Sequence, residues 1–298
     1  MSYDLYFKPR NGLFTDEGFR RYFQERPHYK CEGSQAWYGN EDTGVYFVFE
    51  LQTEQPVEDD DEPMEHFPVA LNINYFRPSY FVCEAEPEVT AFVKHFDLVV
   101  SDPQTEGMGD GEYNAANLLS GWNRGNEFGY AVMLRDDNNR SGISHLPTER
   151  LHSAWRWNLL RSQVQARVGE SKFVPRIMFM NLEGSTVTTA VWPDGIPVVV
   201  TRVDYLCVPR KELAPTHFFR KKEDTTFVAW DVAFPVLRKH GTLEADGSLS
   251  LNYMTPPRDV VKFIQALPAE NRAVSGLSPD KVLDREIYER SAMQHREQ

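Results

Sequence analysis

The sequence predicts an α+β fold in which two mainly antiparallel β-sheets carry helices packed on them. In the first hundred residues the elements follow the order β-α-β-β-β-α-β, which favours helices on one face of an antiparallel sheet. In the C-terminal half, three apolar runs between residues 173 and 212 are separated by turn residues, which predicts a second sheet. The sequence leaves open whether the two sheets form separate domains or one continuous two-lobed domain.

The first third of the chain alternates between strand and helix patterns. Tyr3, Leu5 and Phe7 alternate with more polar residues, as in a half-buried strand. Thr15 stands where a helix cap is expected. The elements that follow are predicted, in order, as a helix at 16–24, hairpin strands at 35–38 and 45–51, a strand at 69–76, a helix with Pro87 in its first turn and a strand at 98–100.

The second half is expected to centre on a β-meander at residues 173–212. Glu183-Gly184 and Pro193-Asp194-Gly195 supply the reversals between its apolar runs. The other predicted elements are a strand at 128–134, a helix that begins at Pro147, a helix at 226–240 kinked or broken at Pro235, a hairpin at 243–253 and a helix at 258–267.

Composition places the domain boundaries. A glycine-rich segment follows the first predicted sheet, and the chain becomes polar beyond Pro268. The expected domains are an acidic α+β domain at 1–105, a connecting loop with a short helix at 106–127, an α+β domain with the meander at 128–270 and a polar tail at 271–298.

The charge of the chain is uneven. Its formal net charge is -12, but residues 1–123 carry 23 acids against eight bases, whereas residues 124–298 carry 21 acids against 24 bases. Residues 31–76 contain eleven acids and neither Lys nor Arg. Such a field repels phosphate backbones and anionic membrane surfaces and attracts basic proteins. We therefore expect a basic protein partner, and no nucleic-acid or membrane partner.

Targeting and metal signals are also weak. No stretch of about 18 uncharged apolar residues is present to span a bilayer, and the first ten residues lack the order of a secretory signal. The three cysteines are odd in number and widely spaced, which argues against a disulfide framework and a cysteine zinc site. We expect a cytoplasmic protein with no bound metal and no cofactor.

Catalytic motifs do not emerge from the residue pattern. The glycines of residues 107–111 lack the spacing of a dinucleotide-binding fingerprint, and there is no Gly-x-Ser-x-Gly elbow. His145 and Glu149 are four residues apart, but Pro147 between them works against a shared helical face. The sequence therefore predicts no catalytic residue.

An enzyme is the main alternative. Residues distant in the chain can still assemble a catalytic site, because such sites are defined by geometry and not by order. In this alternative a hydrolase or transferase pocket in the C-terminal domain would gather His152, Arg156 and Arg161, or Asp204.

The predicted binding site lies in the acidic N-terminal domain. Charged residues would speed association with a basic partner, and aromatic residues within the ring of charge would slow its release. The predicted partner-binding residues are Glu54, Glu58, Asp59, Asp60, Asp61, Glu62, Trp37 and Tyr38. The alternative for the acidic run is a solvated loop that binds nothing.

Three segments carry a resemblance to a known class of proteins. They are the opening MSYDLYF strand, the Phe-x-x-Tyr-Phe helix at 19–23 and the hairpin from Gln-Ala-Trp-Tyr to Val-Tyr-Phe-Val-Phe-Glu. Over the first third of the chain they resemble bacterial immunity proteins, which neutralise polymorphic or contact-delivered toxins by binding them in the cytoplasm. The resemblance implies an inhibitor that binds a toxin, and the uneven charge indicates that it would cover a basic toxin with its acidic surface. A chaperone-like module with an exposed apolar patch is the third alternative.

Overall fold

The computed structural model describes residues 1–52, 67–104, 107–135, 142–214, 216–217, 220–221 and 223–294. Its helices and mainly antiparallel sheets confirm the predicted α+β class. The chain divides into unit 1, which comprises Met1–Thr148 and Asp280–Gln298, and unit 2, which comprises Glu149–Pro279. Within these described ranges, no helix has both the length and the apolar character needed to cross a membrane.

The helices and strands are numbered in chain order. Up to residue 146 they are β1 (Ser2–Pro9), α1 (Asp16–Gln24), β2 (Tyr29–Glu32), β3 (Gln35–Asn40), β4 (Val45–Leu51), β5 (Val69–Asn74), α2 (Tyr80–Phe96), β6 (Leu98–Asp102), β7 (Gly109–Gly111), α3 (Ala115–Met133) and β8 (Ser144–Leu146). From residue 148 they are α4 (Thr148–Val168), β9 (Ile177–Leu182), β10 (Ser185–Val191), β11 (Val199–Val200), β12 (Tyr205–Arg210), β13 (Thr216–His217), β14 (Arg220–Lys221), β15 (Asp224–Ala229), α5 (Trp230–Lys239), β16 (Gly241–Leu243), β17 (Leu249–Leu251), α6 (Arg258–Ala266), β18 (Val274–Leu277), β19 (Val282–Asp284) and α7 (Arg285–Gln294).

The division into units differs from the predicted domains. Residues 106–127 do not form a separate connection, because most of them belong to α3 within unit 1. Residues 271–298 are not only a polar tail, because β19 pairs in parallel with β8 and closes unit 1. Unit 2 is thus inserted in the chain between the two parts of unit 1. Composition carries no signal for a pairing between strands this far apart in the chain.

Unit 1 contains a seven-stranded antiparallel sheet in the order β2-β3-β4-β5-β1-β6-β7. The predicted alternation of β1 is confirmed, because Tyr3, Leu5 and Phe7 are fully buried and the residues between them are half-exposed. We call the face that carries these three side chains the core face.

Helices α1 and α2 pack on the core face through aromatic side chains. Phe92 of α2 lies against Phe23 of α1 and Phe49 of β4, with ring centroids 5.5 and 4.9 Å apart. Thr15 caps α1 as predicted, because its Oγ1 accepts a hydrogen bond from Gly18 N at 3.2 Å. The helix is therefore held by a local cap and by an aromatic core.

The start of α2 was predicted wrongly. The helix begins at Tyr80, and Pro87 lies inside it rather than in its first turn. The N–H and hydroxyl of Ser79 donate hydrogen bonds to the two oxygens of Asp284, each at 2.7 Å. The beginning of this helix is therefore fixed by a carboxylate 205 residues away.

The predicted strand at 128–134 is also wrong, because most of these residues continue α3. Three glycines at spacings of four residues lower the helix propensity of α3, and the last of them, Gly129, lies within the segment predicted as a strand. Tertiary packing explains one of them: a Cβ on Gly125 would lie 2.1 Å from the ring of Tyr75. A larger residue at position 125 would clash with the Tyr75 ring, so this packing requires glycine although glycine lowers the stability of the helix.

Unit 2 contains a five-stranded sheet in the order β15-β12-β10-β9-β18 and a three-stranded sheet in the order β11-β17-β16. The predicted hairpin turn at Glu183-Gly184 is confirmed, since β9 and β10 pair antiparallel around it. The predicted meander is wrong beyond this point. β12 lies parallel to β10, and β11 between them joins the other sheet.

Asp194 explains the change of sheet. Its carboxylate accepts hydrogen bonds from the backbone N–H groups of Lys211, Glu212 and Leu213, at 2.9 to 3.2 Å. The Pro-Asp-Gly segment therefore holds the far end of β12 and does not close a hairpin.

The predicted helix at 226–240 begins too early. Its first residues belong to β15, and α5 starts only at Trp230, with Pro235 inside it. β15 is held in the sheet by β12 and by the pair of Arg210 with Asp224, whose guanidinium and carboxylate form two bonds of 2.8 and 2.7 Å. Pairing with a distant strand overrides the helical pattern here.

Candidate functional site

Trp37 is exposed on the side of the unit 1 sheet opposite the core face. Side chains of β3 alternate, so that Tyr38 is buried whereas Trp37 keeps 41% of its surface exposed. Trp37 is paired across the strands with Val48, then Asn72, then Asp4. The patch that we call the Trp37 face consists of Asp4, Gln35, Trp37, Glu50 and Asn72.

A chain of hydrogen bonds holds the indole of Trp37 in place. Its Nε1–H donates to Gln35 Oε1 at 3.0 Å, and Gln35 Nε2 donates to Glu50 Oε1 at 2.9 Å. A side chain that is fixed before binding loses less conformational entropy when a partner arrives. The indole is therefore a preorganised contact surface beside a carboxylate.

The carboxylates of the Trp37 face are held by neutral donors. Asp4 accepts hydrogen bonds from Asn72 Nδ2 at 2.6 Å and Ser2 Oγ at 3.1 Å, and Glu50 accepts one from Gln35. In the part of the chain that the structure describes, neither carboxylate forms an ion pair. Among the described residues, no ion pair therefore compensates the field of these two carboxylates toward an approaching molecule.

Two lysines border this face. Lys30, which is paired with Trp37 across β2 and β3, forms an ion pair with Glu32. Lys8 lies over the ring of Phe67, 5.1 Å from its centroid. The charge of Lys30 is thus balanced by its neighbour, and the negative character of the face comes from Asp4 and Glu50.

The acidic run predicted to bind a partner lies outside the described residues; it contains Glu54, Glu58, Asp59, Asp60, Asp61 and Glu62. The chain on either side of it is described. Gln52 N donates a hydrogen bond to Pro68 O at 2.8 Å, so β4 and β5 end next to each other. The acidic run therefore connects the ends of two neighbouring strands, β4 and β5.

Tyr38 does not have the orientation that the prediction requires. It is 5% exposed, and its hydroxyl donates a hydrogen bond to Glu84 Oε1 at 2.8 Å. Asn40 Nδ2 and Thr43 Oγ1 donate to the same oxygen, at 2.8 and 3.0 Å. Burial raises the pKa of the Tyr38 hydroxyl. We therefore correct the prediction, because strand alternation turns Tyr38 away from the face that carries Trp37.

Sequence reasoning missed Glu84, which is 5% exposed and gathers these three donors. Its position one turn after Tyr80 places it on a buried face of α2. The position of Glu84 on this buried face can be predicted only if the helix is known to start at Tyr80 and not near Pro87. The cluster ties the β3–β4 hairpin to α2, which fixes the strand that carries Trp37.

Unit 2 contains a cavity of about 380 Å³ beside Asp204, a residue predicted for the enzyme alternative. Asp204 Oδ2 accepts hydrogen bonds from Arg150 Nη2 at 2.6 Å, Thr188 N at 2.8 Å and Thr188 Oγ1 at 3.0 Å. Partial burial raises the pKa of the Asp204 carboxyl, but the bonds from Arg150 and Thr188 outweigh it, so the pKa is lowered. A carboxylate that stays ionised in this way is a weak general base near pH 7.

The other residues of the enzyme alternative do not line this cavity. His152 is half-buried and stands edge-on to Trp155, with ring centroids 5.9 Å apart. Arg156 is exposed on the same helix, and Arg161 lies one turn or more further on. The cation that meets Asp204 is Arg150, which the sequence analysis did not select.

Comparisons with protein-family models, curated proteins and solved structures find no match for this chain. Among the described residues, no three His, Cys, Asp or Glu side chains gather closely enough to hold a metal ion. The Trp37 face and the Asp204 cavity are therefore judged on their own geometry.

Proposed function

We propose that this protein is a cytoplasmic immunity-type inhibitor that binds a basic bacterial toxin through the Trp37 face and the acidic run of residues 54–65. The observation that carries the proposal is an exposed, hydrogen-bonded indole beside carboxylates that form no ion pair among the described residues. Tryptophan is enriched among the residues that dominate binding energy in protein interfaces. Unpaired acids around it would steer a basic partner toward the face.

The distribution of charge between the units supports the same proposal. Unit 1 carries 31 acids against 15 bases, a net charge of -16, and unit 2 carries 13 acids against 17 bases, a net charge of +4. The folded units therefore separate charge slightly more than the halves of the sequence do. A long-range negative field raises the association rate with a basic protein, and salt weakens this effect.

The proposal predicts that the gene next to that of this chain encodes a basic toxin domain. We expect co-expression of this chain to restore the growth of cells that make the toxin domain. We also expect the quadruple charge reversal to Lys to lower the association rate by about tenfold or more at low salt, as measured by stopped-flow mixing. The reversed residues are Asp59, Asp60, Asp61 and Glu62.

A matched control separates position from total charge. The control reverses four exposed acids of unit 2 to Lys, namely Glu170, Glu212, Glu223 and Glu244. Both variants change the net charge by the same amount. Equal loss of association rate in the two variants would count against a role for the acidic run, and absence of growth rescue by the wild-type chain would refute the proposed function.

The Asp204 cavity supports a second candidate, a hydrolase or transferase in unit 2. Arg150 and Arg202 line the cavity together with Asp204 and could hold an anionic substrate. We expect that a substrate of this kind would protect the chain against thermal unfolding, and that Arg150→Met would abolish the protection. A screen of phosphorylated and carboxylated metabolites by thermal shift tests this candidate, and no shift with any of them would set it aside.

A further inference from the structure

We propose that the Trp37 face recognises an arginine side chain of its partner, whose guanidinium stacks on the Trp37 indole and pairs with the Glu50 carboxylate. This inference rests on the proposed function, because it names the group that the inhibitor would bind. It goes further in assigning two residues of this chain to one chemical group.

The indole offers a suitable surface for a cation. The Trp37 residue is 41% exposed, and its indole N–H already donates a hydrogen bond to Gln35. A partner would therefore meet the carbon atoms of this residue and not its polar N–H group. A guanidinium over the face of a tryptophan is attracted by the ring quadrupole, and tryptophan is the strongest of the aromatic side chains in this respect.

The carboxylate lies close to the indole. Only the amide of Gln35 separates the two, through consecutive hydrogen bonds of 3.0 and 2.9 Å. The hydrogen bond from Gln35 uses Oε1 of Glu50, which leaves further acceptor capacity on the carboxylate. A planar guanidinium can stack on the ring and direct its N–H groups to the carboxylate at the same time.

Arginine fits this arrangement better than lysine. An ammonium is a compact and strongly hydrated charge, whereas a guanidinium is flat, more weakly hydrated and presents several N–H groups in a plane. Lys30, which is paired with Trp37 across the strands, would repel an arriving guanidinium, but its positive charge is balanced by the ion pair with Glu32. The pair of Trp37 and Glu50 is therefore open to a cation from outside the chain.

The test uses the full chain labelled with 5-fluorotryptophan and observed by fluorine NMR. The Trp37 signal is assigned by its loss in Trp37→Phe. The probes are hexa-arginine and hexa-lysine peptides, with hexa-glutamate as a negative control. We expect hexa-arginine to shift the Trp37 signal with a midpoint at least fivefold lower than that of hexa-lysine, roughly the preference expected for a stacked and bidentate site.

The matched variants are Glu50→Gln and Glu17→Gln. Each removes one negative charge, but Glu17 is on α1, where it pairs with Arg21 and is 83% exposed. We expect Glu50→Gln to raise the hexa-arginine midpoint about tenfold and Glu17→Gln to leave it nearly unchanged. Equal midpoints for the two basic peptides, or no effect of Glu50→Gln, would overturn the inference.

Growth rescue distinguishes failure of the inference from failure of the proposed function. If the inference is right, Trp37→Leu and Glu50→Gln weaken rescue while Phe128→Leu, which removes another exposed aromatic ring of unit 1, does not. Full rescue by the first two variants would overturn arginine recognition and leave the inhibitor role standing. Failure of the wild-type chain to rescue would overturn the inhibitor role itself.

Discussion

The two units hold their buried acids in different ways. In unit 1 the buried carboxylates accept hydrogen bonds from hydroxyl, amide and backbone N–H groups; they are Glu84, Asp102 and Asp284. Partly buried carboxylates meet guanidinium groups in both units, but among the described residues unit 2 has no carboxylate as buried as those three of unit 1. The pairs are Glu88 with Arg26 and Asp280 with Arg77 in unit 1, and Asp204 with Arg150, Asp224 with Arg210 and Glu270 with Arg272 in unit 2. A guanidinium cancels the charge of the acid, and a neutral donor only solvates it.

The net charges of the two units, -16 and +4, follow from their composition, because an ion pair within a unit does not change the sum of its charges. The difference between the units is local. An arginine beside an acid compensates the field of that acid at short range, whereas a neutral donor leaves the field uncompensated. Four predictions test the comparison, from the largest expected effect to the smallest.

The largest effect is expected for Arg210→Met in unit 2. The Arg210 side chain is fully buried and donates to Asp224 and to the carbonyl oxygens of Ile264 and Leu267. Its removal leaves a carboxylate and two carbonyls without their donor, so we expect the free energy of unfolding to fall by about 3 to 5 kcal/mol. Urea denaturation followed by circular dichroism measures the loss.

The exposed pair of Arg202 with Asp231 provides the control. Its side chains are 75% and 81% exposed. Surface pairs of this kind contribute little, and Arg202→Met should change the free energy of unfolding by less than about 0.5 kcal/mol. Similar losses for the two variants would contradict the view that unit 2 depends on its buried pairs.

A smaller effect is expected for Glu84→Gln in unit 1. The glutamine keeps one oxygen acceptor for Tyr38, Asn40 and Thr43 but loses the charge that strengthens these bonds. We expect a loss of about 2 kcal/mol, localised by hydrogen exchange to β3, β4 and α2. A loss as large as that of Arg210→Met would mean that the charge of Glu84 matters as much as an ion pair.

Low pH should reduce the stability of unit 2 in part through the protonation of Glu270. The hydrogen bond from Arg272 lowers the pKa of Glu270 to about 2. Because its pKa is higher in the unfolded chain, at about 4.3, the stability due to this pair is present above that pH and is lost as the pH falls toward 2. We expect Glu270→Gln to remove about 1 kcal/mol of the decrease between pH 5 and pH 2.5, after allowance for solvent screening. Urea midpoints at the two pH values measure it, and an unchanged decrease would contradict the assignment.

The smallest effect is expected for Trp37→Leu, which should change the free energy of unfolding by less than about 0.5 kcal/mol because the residue is 41% exposed and a leucine keeps an apolar contact with the sheet. The neighbouring change Tyr38→Phe should cost about 1 kcal/mol, because it removes a buried donor from Glu84. Urea denaturation compares the two. A larger loss for Trp37→Leu would show that the indole serves packing and not a partner.

The elements that could be predicted are those whose determinants are close in the chain. The Thr15 cap, the alternation of β1 and the turn at Glu183-Gly184 depend on residues within a few positions of one another. The errors occur where a distant group decides the outcome. In α3, the ring of Tyr75 packs against the backbone at Gly125. In unit 2, Asp194 accepts hydrogen bonds from the chain just after β12 and does not close a hairpin.

The candidate site shows the same limit. Trp37 and Tyr38 were selected together, because both are aromatic and close to acids in the chain. One faces outward and the other reaches Glu84, since the phase of alternation in β3 is set by its pairing with β4 and by the core beneath it. Likewise Asp204 was selected, but Arg150 was not, because 54 residues separate the two in the sequence.

The sequence by itself determined the α+β class and the excess of acids in the first part of this chain, because both follow from composition and from short-range periodicity. Only the tertiary structure decided which acids meet a cation and which aromatic ring is open to solvent. Both depend on contacts between residues that lie far apart along the chain, and local pattern carries no record of such contacts.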